Sequence, residues 1–200
     1  MSEMAGIEKP LMPFTRPCLL LDVDGVLNPD LRDTWNTEAG QKFREAGWVI
    51  VVGGDGQPVM FNERPIWLNP GHGPKLRAVA ERAGADLAWA TRWHHLANQM
   101  LSPFYGLPQL PVIPFPPDQQ KVPAALPWIA WRPFVWLDDE DEVVAACEHV
   151  PHGAAVRVDP AVGLTDADLE WAAVLLAGGV PCASPVAVLS QRTTTAIPAT

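Results

Sequence analysis

The 200-residue sequence is short of three things: cysteine, uninterrupted apolar runs and positive charge. Its three cysteines, Cys18, Cys147 and Cys182, are an odd number at spacings that match neither a zinc site nor a disulfide framework. They read as packing residues in a reducing compartment. No apolar stretch reaches the ~18 residues that a membrane-spanning helix needs. The opening residues MSEMAGIEKP carry acid where a signal peptide carries base. The expected location is therefore the cytoplasm, with no membrane partner. Fourteen Lys and Arg stand against 23 Asp and Glu, a formal net charge of -9. Such a field repels polyanions, which excludes tight nonspecific nucleic-acid binding without a local basic groove. A small phosphorylated ligand needs only a local positive site.

Proline and tryptophan, by contrast, are plentiful, at 22 and 9 residues. The prolines cut the chain into short elements joined by ordered loops, and the tryptophans are expected in the core. A chain of this length with 48% hydrophobic residues builds one domain with a two-sided core, hence one active site. Residues 1–16 and 184–200 lack any sustained period and read as flexible tails, leaving a folded domain over 17–183.

That domain opens on the apolar run Cys18-Leu19-Leu20-Leu21-Asp22-Val23, the pattern of a strand buried on both faces of a parallel sheet. Similar runs recur at 86–90, 110–113, 134–137 and 154–158, with helices expected at 74–83, 93–101, 122–130, 140–148 and 165–177. In the last of these, Thr165 is the N-cap and Asp168 stands three residues on. Strands alternating with helices predict an α/β fold with a parallel sheet, whose ligand crevice lies at the carboxyl ends of the strands. One region breaks the alternation. Residues 47–52, the turn Gly53-Gly54-Asp55-Gly56 and residues 57–61 read as a β-hairpin, a small flap over 47–62 with no segment long enough for a lid domain. Its edge, Val49 to Val52, is a place where another chain could pair; oligomeric state is otherwise not legible.

The chemistry concentrates in acids at strand ends. Asp22-Val23-Asp24-Gly25 places two carboxylates two residues apart where an apolar strand gives way to a turn, and Gly25 lets the backbone bend there. Alone this is an ordinary acid-glycine turn as readily as a site. The run Asp138, Asp139, Glu140, Asp141, Glu142 is likewise either a solvated helix start or a cation site.

The stretch LLLDVDGVLN resembles the first motif of the haloacid dehalogenase (HAD) superfamily, an apolar strand ending in DxDG and an apolar pair. The family's later motifs have counterparts in order. A second strand ends in Thr91, Lys121 follows the Pro-rich loop 114–117 at the start of a helix, and Phe134-Val135-Trp136-Leu137 ends in the pair Asp138-Asp139. Singly, Thr91 would read as a strand-end hydroxyl and Lys121 as a solvated side chain; together with both acid pairs they read as a site. WATRWHHLAN, VWLDDE and RVDPAVGLTDADL also resemble a HAD subgroup, some of whose members are domains of multi-module RNA repair proteins. The resemblance implies a three-layer Rossmann-like fold with the hairpin flap and no large cap.

It further implies a magnesium-dependent phosphatase. Asp22 would be the nucleophile that forms an aspartyl-phosphate, and Asp24 the acid that protonates the leaving oxygen and then the base that activates water. Magnesium would take oxygens from Asp22, from the Asp24 backbone carbonyl and from Asp138 or Asp139, with no choice made between the last two. Thr91 and Lys121 would bind the phosphoryl oxygens. Such a set answers a physical need, because attack of one anion on another requires a cation and donors to neutralise the equatorial oxygens. The substrate would be a phosphorylated small molecule, a nucleotide or a nucleic-acid end. Transfer to another acceptor, and a noncatalytic module that binds phosphorylated ligands or RNA ends, remain as alternatives; dehalogenation does not fit, having no alkoxide for Asp24 to protonate. His94 and His95 could reach the strand-end crevice but read rather as a helix cap or surface pair, Gly71-His72-Gly73 reads as a plain loop sooner than as an anion-binding helix N-terminus, and Arg92 and Arg157 as phosphate contacts or surface ion pairs.

Overall fold

The structure is a computed structural model and describes residues 16–31 and 37–178. The tails expected over 1–16 and 184–200 lie outside these residues, Arg16 excepted, as does Cys182. Four strands form a parallel sheet: β1 (Cys18–Leu21), β6 (Asp86–Trp89), β7 (Phe134–Asp138) and β8 (Gly153–Arg157), in the order β6-β1-β7-β8. Alternation along β1 sorts its side chains between two cores. Leu19 and Leu21 face α2 (His72–Ala83) and α6 (Asp166–Ala177), while Cys18 and Leu20 face α4 (Lys121–Ile129) and α5 (Asp141–Cys147). The result is the expected α/β sandwich of three layers. Trp67, Trp89, Trp93 and Trp136 are fully buried, as expected of tryptophan here, whereas Trp131 and Trp171 are exposed. Burial pushes the thiols of Cys18 and Cys147 up to about 12, so both are packing groups.

The sandwich departs from expectation in four places. Residues 110–113 do not form a full strand: Pro111 has no N–H to give, and only the pair Trp89–Val112 bridges there. The helix expected over 93–101 starts late. His94 takes φ 48, and the segment Ala97–Leu101 is a π-helix that runs into the short α3 (Ser102–Tyr105). An unexpected helix, α1 (Glu38–Glu45), occupies the polar stretch before the flap, capped by Thr37. Finally, Gly71-His72-Gly73 is not a loop, because His72 opens α2 and is buried against Trp48, ring centroids 5.0 Å apart.

The flap is longer and more divided than a single hairpin. Val52 and Pro58 do bridge across the glycine turn, but β2 (Val49–Ile50) pairs with β5 (Trp67–Leu68), and β3 (Met60–Phe61) with β4 (Arg64–Pro65). It therefore extends through Leu68. Among the described residues nothing larger covers the sheet's carboxyl edge.

Gly73 is where α2 presses on the end of α3: a Cβ there would stand 2.0 Å from the carbonyl oxygen of Tyr105. Backbone on both sides leaves no flexible atom to yield. Gly73→Ala is expected to cost about 1–3 kcal/mol or more in urea unfolding, against a near-neutral Gly54→Ala, whose Cβ meets nothing within 4 Å.

Candidate active site

The register of the sheet assembles the site. Leu21 pairs with Trp89 on one side and Leu137 on the other, so the residues just beyond it, Asp22, Ala90-Thr91 and Asp138, meet at one edge. The backbone continues the ladder there: Ala90 N–H donates to Leu21 and Asp22 N–H to Leu137, at 2.8 and 3.1 Å. Lys121, the first residue of α4, reaches into this edge from the layer below.

Lys121 is buried, and its Nζ donates to Asp22 Oδ2 at 2.7 Å and Asp138 Oδ2 at 3.0 Å, with Glu140 Oε1 at 2.8 Å. Asp138 is fully buried, and its other oxygen accepts the Glu140 N–H at 2.9 Å. Thr91 is buried beside Asp22 and hydrogen-bonds its carboxylate. Of the six residues expected to gather, Asp22, Thr91, Lys121 and Asp138 are in direct contact through these hydrogen bonds. Asp139 is half-buried on the opposite side of the turn. Its carboxyl lies directly over Gly25, where a Cβ would stand 2.3–2.7 Å from the Asp139 carboxyl atoms. With φ +74 as well, Gly25 is required twice over.

Charge is unbalanced here. Asp22, Asp138 and Glu140 surround the ammonium of Lys121, and Asp139 feels its charge from further off. Burial, opposed by Lys121, pushes the Asp22 carboxyl above its usual range. Burial and the charge of Asp22 raise Asp138 to about 8 and Asp139 to about 6. Lys121, although burial works against it, is held above its ordinary value by Asp22 and Asp138. The surplus of negative charge, on oxygen alone, fits a hard divalent cation. Oxygens of Asp22, Asp138 and Glu140 lie within 4.8 Å of one another, close enough to share an ion. Lys121 Nζ already occupies the point where these three converge, however.

The Asp24 carboxylate is held by two N–H donors. Asn28 Nδ2 donates to its Oδ1 at 2.9 Å and Trp93 Nε1 to its Oδ2 at 2.8 Å. Asn28 sits in the extended first motif, four residues after Asp24, a spacing that offered a signal; Trp93 comes from another strand end and offered none. Of the other candidates, Arg92 donates to the Gln119 carbonyl at 3.2 Å and lines a cleft of about 270 Å³ beside Lys121 and Glu140. Arg157 pairs with Asp141 at 2.6 Å, a surface ion pair. His95 is exposed, and His94 N–H donates to the Thr91 carbonyl at 3.3 Å.

This arrangement can be set beside known proteins. A family model described as the HAD domain in Swiss Army Knife RNA repair proteins matches residues 18–169. The chain belongs to this HAD family. The match runs from the first residue of β1 into α6, so it takes in Asp22, Asp24, Thr91, Lys121, Asp138 and Asp139. Among solved structures, a protein described as a HAD superfamily (subfamily III A) hydrolase from Legionella pneumophila is 18% identical, with TM-score 0.38, over 78% of this chain and 70% of that one. No curated protein matches. Among the described residues, no helix is long and apolar enough to cross a membrane.

Removing the ammonium should expose the charge imbalance. Lys121→Met in metal-free protein is expected to cost about 3–5 kcal/mol at pH 8, where Asp22 and Asp138 lose their counter-charge and find relief only by taking up a proton. The sign follows from proton counts. Raised carboxyl pKa values mean that the fold holds protons which the unfolded chain has lost between about pH 4 and 8, so this cluster's contribution falls as pH rises through that window. Without Lys121 these carboxyls are raised further, so the variant loses stability with rising pH more steeply than wild type, and the cost of Lys121→Met should shrink at pH 5. Buried His72, lowered to about 4, slopes the other way between pH 4 and 6.5, but it cancels in the difference between variant and wild type measured by urea unfolding.

Proposed function

We propose that the protein is a magnesium-dependent phosphomonoesterase that works through an aspartyl-phosphate on Asp22. The observation that carries this reading is the convergence of Asp22, Thr91, Lys121 and Asp138 at the carboxyl edge of the sheet, in a chain of the HAD family. A nucleophilic carboxylate must stay ionised while approaching an anion. Lys121, 2.7 Å from Asp22, opposes its protonation and is placed to neutralise the incoming phosphoryl group. The Thr91 hydroxyl donates to a phosphoryl oxygen once substrate displaces its present contact. Asp24 protonates the leaving oxygen and then takes a proton from the attacking water.

Asp22, Asp139 and the Asp24 backbone carbonyl are the residues that would hold magnesium. Asp138 instead serves Lys121, since both its oxygens are already engaged by protein donors. When bound, the ion supplies charge neutralisation at the phosphoryl oxygens. The substrate class that the family supports is a phosphorylated nucleic-acid end. The absence of a large cover over the sheet edge, among the described residues, is compatible with a chain end as well as with a nucleotide.

Asp22→Asn is expected to lower magnesium-dependent phosphate release by at least about 10³-fold across a panel of aryl phosphate, nucleotides and 3′- or 5′-phosphorylated oligonucleotides. Oligonucleotide ends should lead the panel. A folded wild type that releases phosphate from none of them, or an Asp22→Asn variant that keeps its rate, removes the reading. Independently of turnover, magnesium should raise the Tm of wild type more at pH 8 than at pH 5.5, because protons compete for the Asp22 and Asp139 oxygens. In Asp139→Asn that magnesium-induced rise should largely vanish, while in Glu140→Gln it should persist.

A further inference from the structure

Asp24 receives one N–H donor on each carboxylate oxygen, and neither donor is loose. Asn28 is buried, and its own Oδ1 accepts the backbone N–H of Trp67 at 2.9 Å. Trp93 is buried, its backbone N–H donates to Thr91 Oγ1 at 3.3 Å, and its ring stacks on Phe61 with centroids 4.2 Å apart and planes at 29°. Phe61 and Trp67 both belong to the flap, on β3 and β5. The path from flap to carboxylate is therefore one residue long on each side. An indole N–H donates only and an Asn amide does not titrate, so both fix the carboxyl without exchanging protons with it.

We propose that Trp93 and Asn28 are positioning residues for proton transfer by Asp24, and that flap packing sets the aim of that carboxyl through Phe61 and Trp67. This rests on the phosphatase reading above. In the first step the Asp22 carboxylate bonds to phosphorus as the bond from phosphorus to the ester oxygen breaks. That oxygen keeps the electron pair and takes a proton from Asp24. In the second step water bonds to phosphorus and gives its proton to Asp24, while the bond from phosphorus to the Asp22 oxygen breaks and Asp22 leaves as carboxylate. Proton delivery works only along a narrow direction, within hydrogen-bond reach of the leaving oxygen. With a donor on each oxygen, rotation of the Asp24 carboxyl is restrained, which fixes the directions of its remaining lone pairs. Removing a donor frees the rotation and spoils the transfer in proportion to how much the leaving group needs an acid.

The test compares wild type and Trp93→Phe, which keeps an aromatic ring against Phe61 and removes the N–H. The substrates are an alkyl phosphate, whose alkoxide must be protonated, and a nitrophenyl phosphate, whose phenolate hardly needs it. Because kcat/KM ends at the first irreversible step, attack by water does not enter. The aryl-to-alkyl ratio of kcat/KM should widen by at least about 10-fold in Trp93→Phe, and in the same direction in Asn28→Leu. An equal fall for both substrates, the mark of a residue that only supports the fold, overturns the proposal, as does an unchanged ratio. A second readout needs no turnover: the indole N–H resonance of Trp93, identified by its loss in Trp93→Phe, should move upfield in Asp24→Ala. An unmoved resonance denies the contact. Failure of the phosphatase reading shows separately, as a wild type that turns over neither phosphate, and it overturns this proposal too.

Discussion

A lysine ammonium buried among carboxylates is the interaction on which the rest of the carboxyl edge depends. Asp22 and Asp138 end adjacent strands, and the register that pairs Leu21 with Leu137 forces them side by side in a desolvated setting. Two such carboxylates repel and neither is well solvated, so without a cation one would hold a proton. Lys121, donating to both at 2.7 and 3.0 Å, is what lets them share the edge. It satisfies only part of the charge. What remains is a surplus of carboxylate oxygen around Asp22, with the Asp139 carboxyl over Gly25 close by.

The same edge shows how the two sides of the sheet divide their tasks. Strands β1 and β7 supply the acids, the end of β6 supplies Thr91, and α4 delivers the counter-charge. The flap reaches the residues around Asp24 through Phe61 on Trp93 and the Trp67 N–H on Asn28. Asp22 is thus governed by charge in a rigid core, and Asp24 by hydrogen bonds from partners packed under a set of two-residue strands.

Much of this was legible in the chain, for definite reasons. Strands buried on both faces write themselves as continuous apolar runs, which is why β1, β6 and β7 were placed within a residue or two at their ends. The capping box of Thr165 and Asp168 is local, and it is present as expected. Helix α1 was missed because its eight residues, EAGQKFRE, bury only Gly40 and offer no apolar period. The flap was misdrawn because strands of two residues carry no alternation to read, and Val49–Ile50 finds its partner at Trp67–Leu68, beyond an intervening hairpin. Asp22, Thr91, Lys121 and Asp138 lie at strand ends or a helix start, so their meeting followed from the fold. The grip of Trp93 on Asp24 spans 69 residues and depends on a turn with His94 at φ 48, a geometry that no spacing rule encodes. That Lys121 engages Asp138 likewise needed the side-chain contacts.

The most direct test of the account is chemical trapping of the phosphoryl group. Wild type quenched during turnover and reduced with borohydride, which converts an acyl phosphate to an alcohol, should yield homoserine at position 22 on peptide mass analysis, in a magnesium-dependent amount. Phosphate release that proceeds with residue 22 still aspartate, or with the reduced residue at another acid, would contradict it.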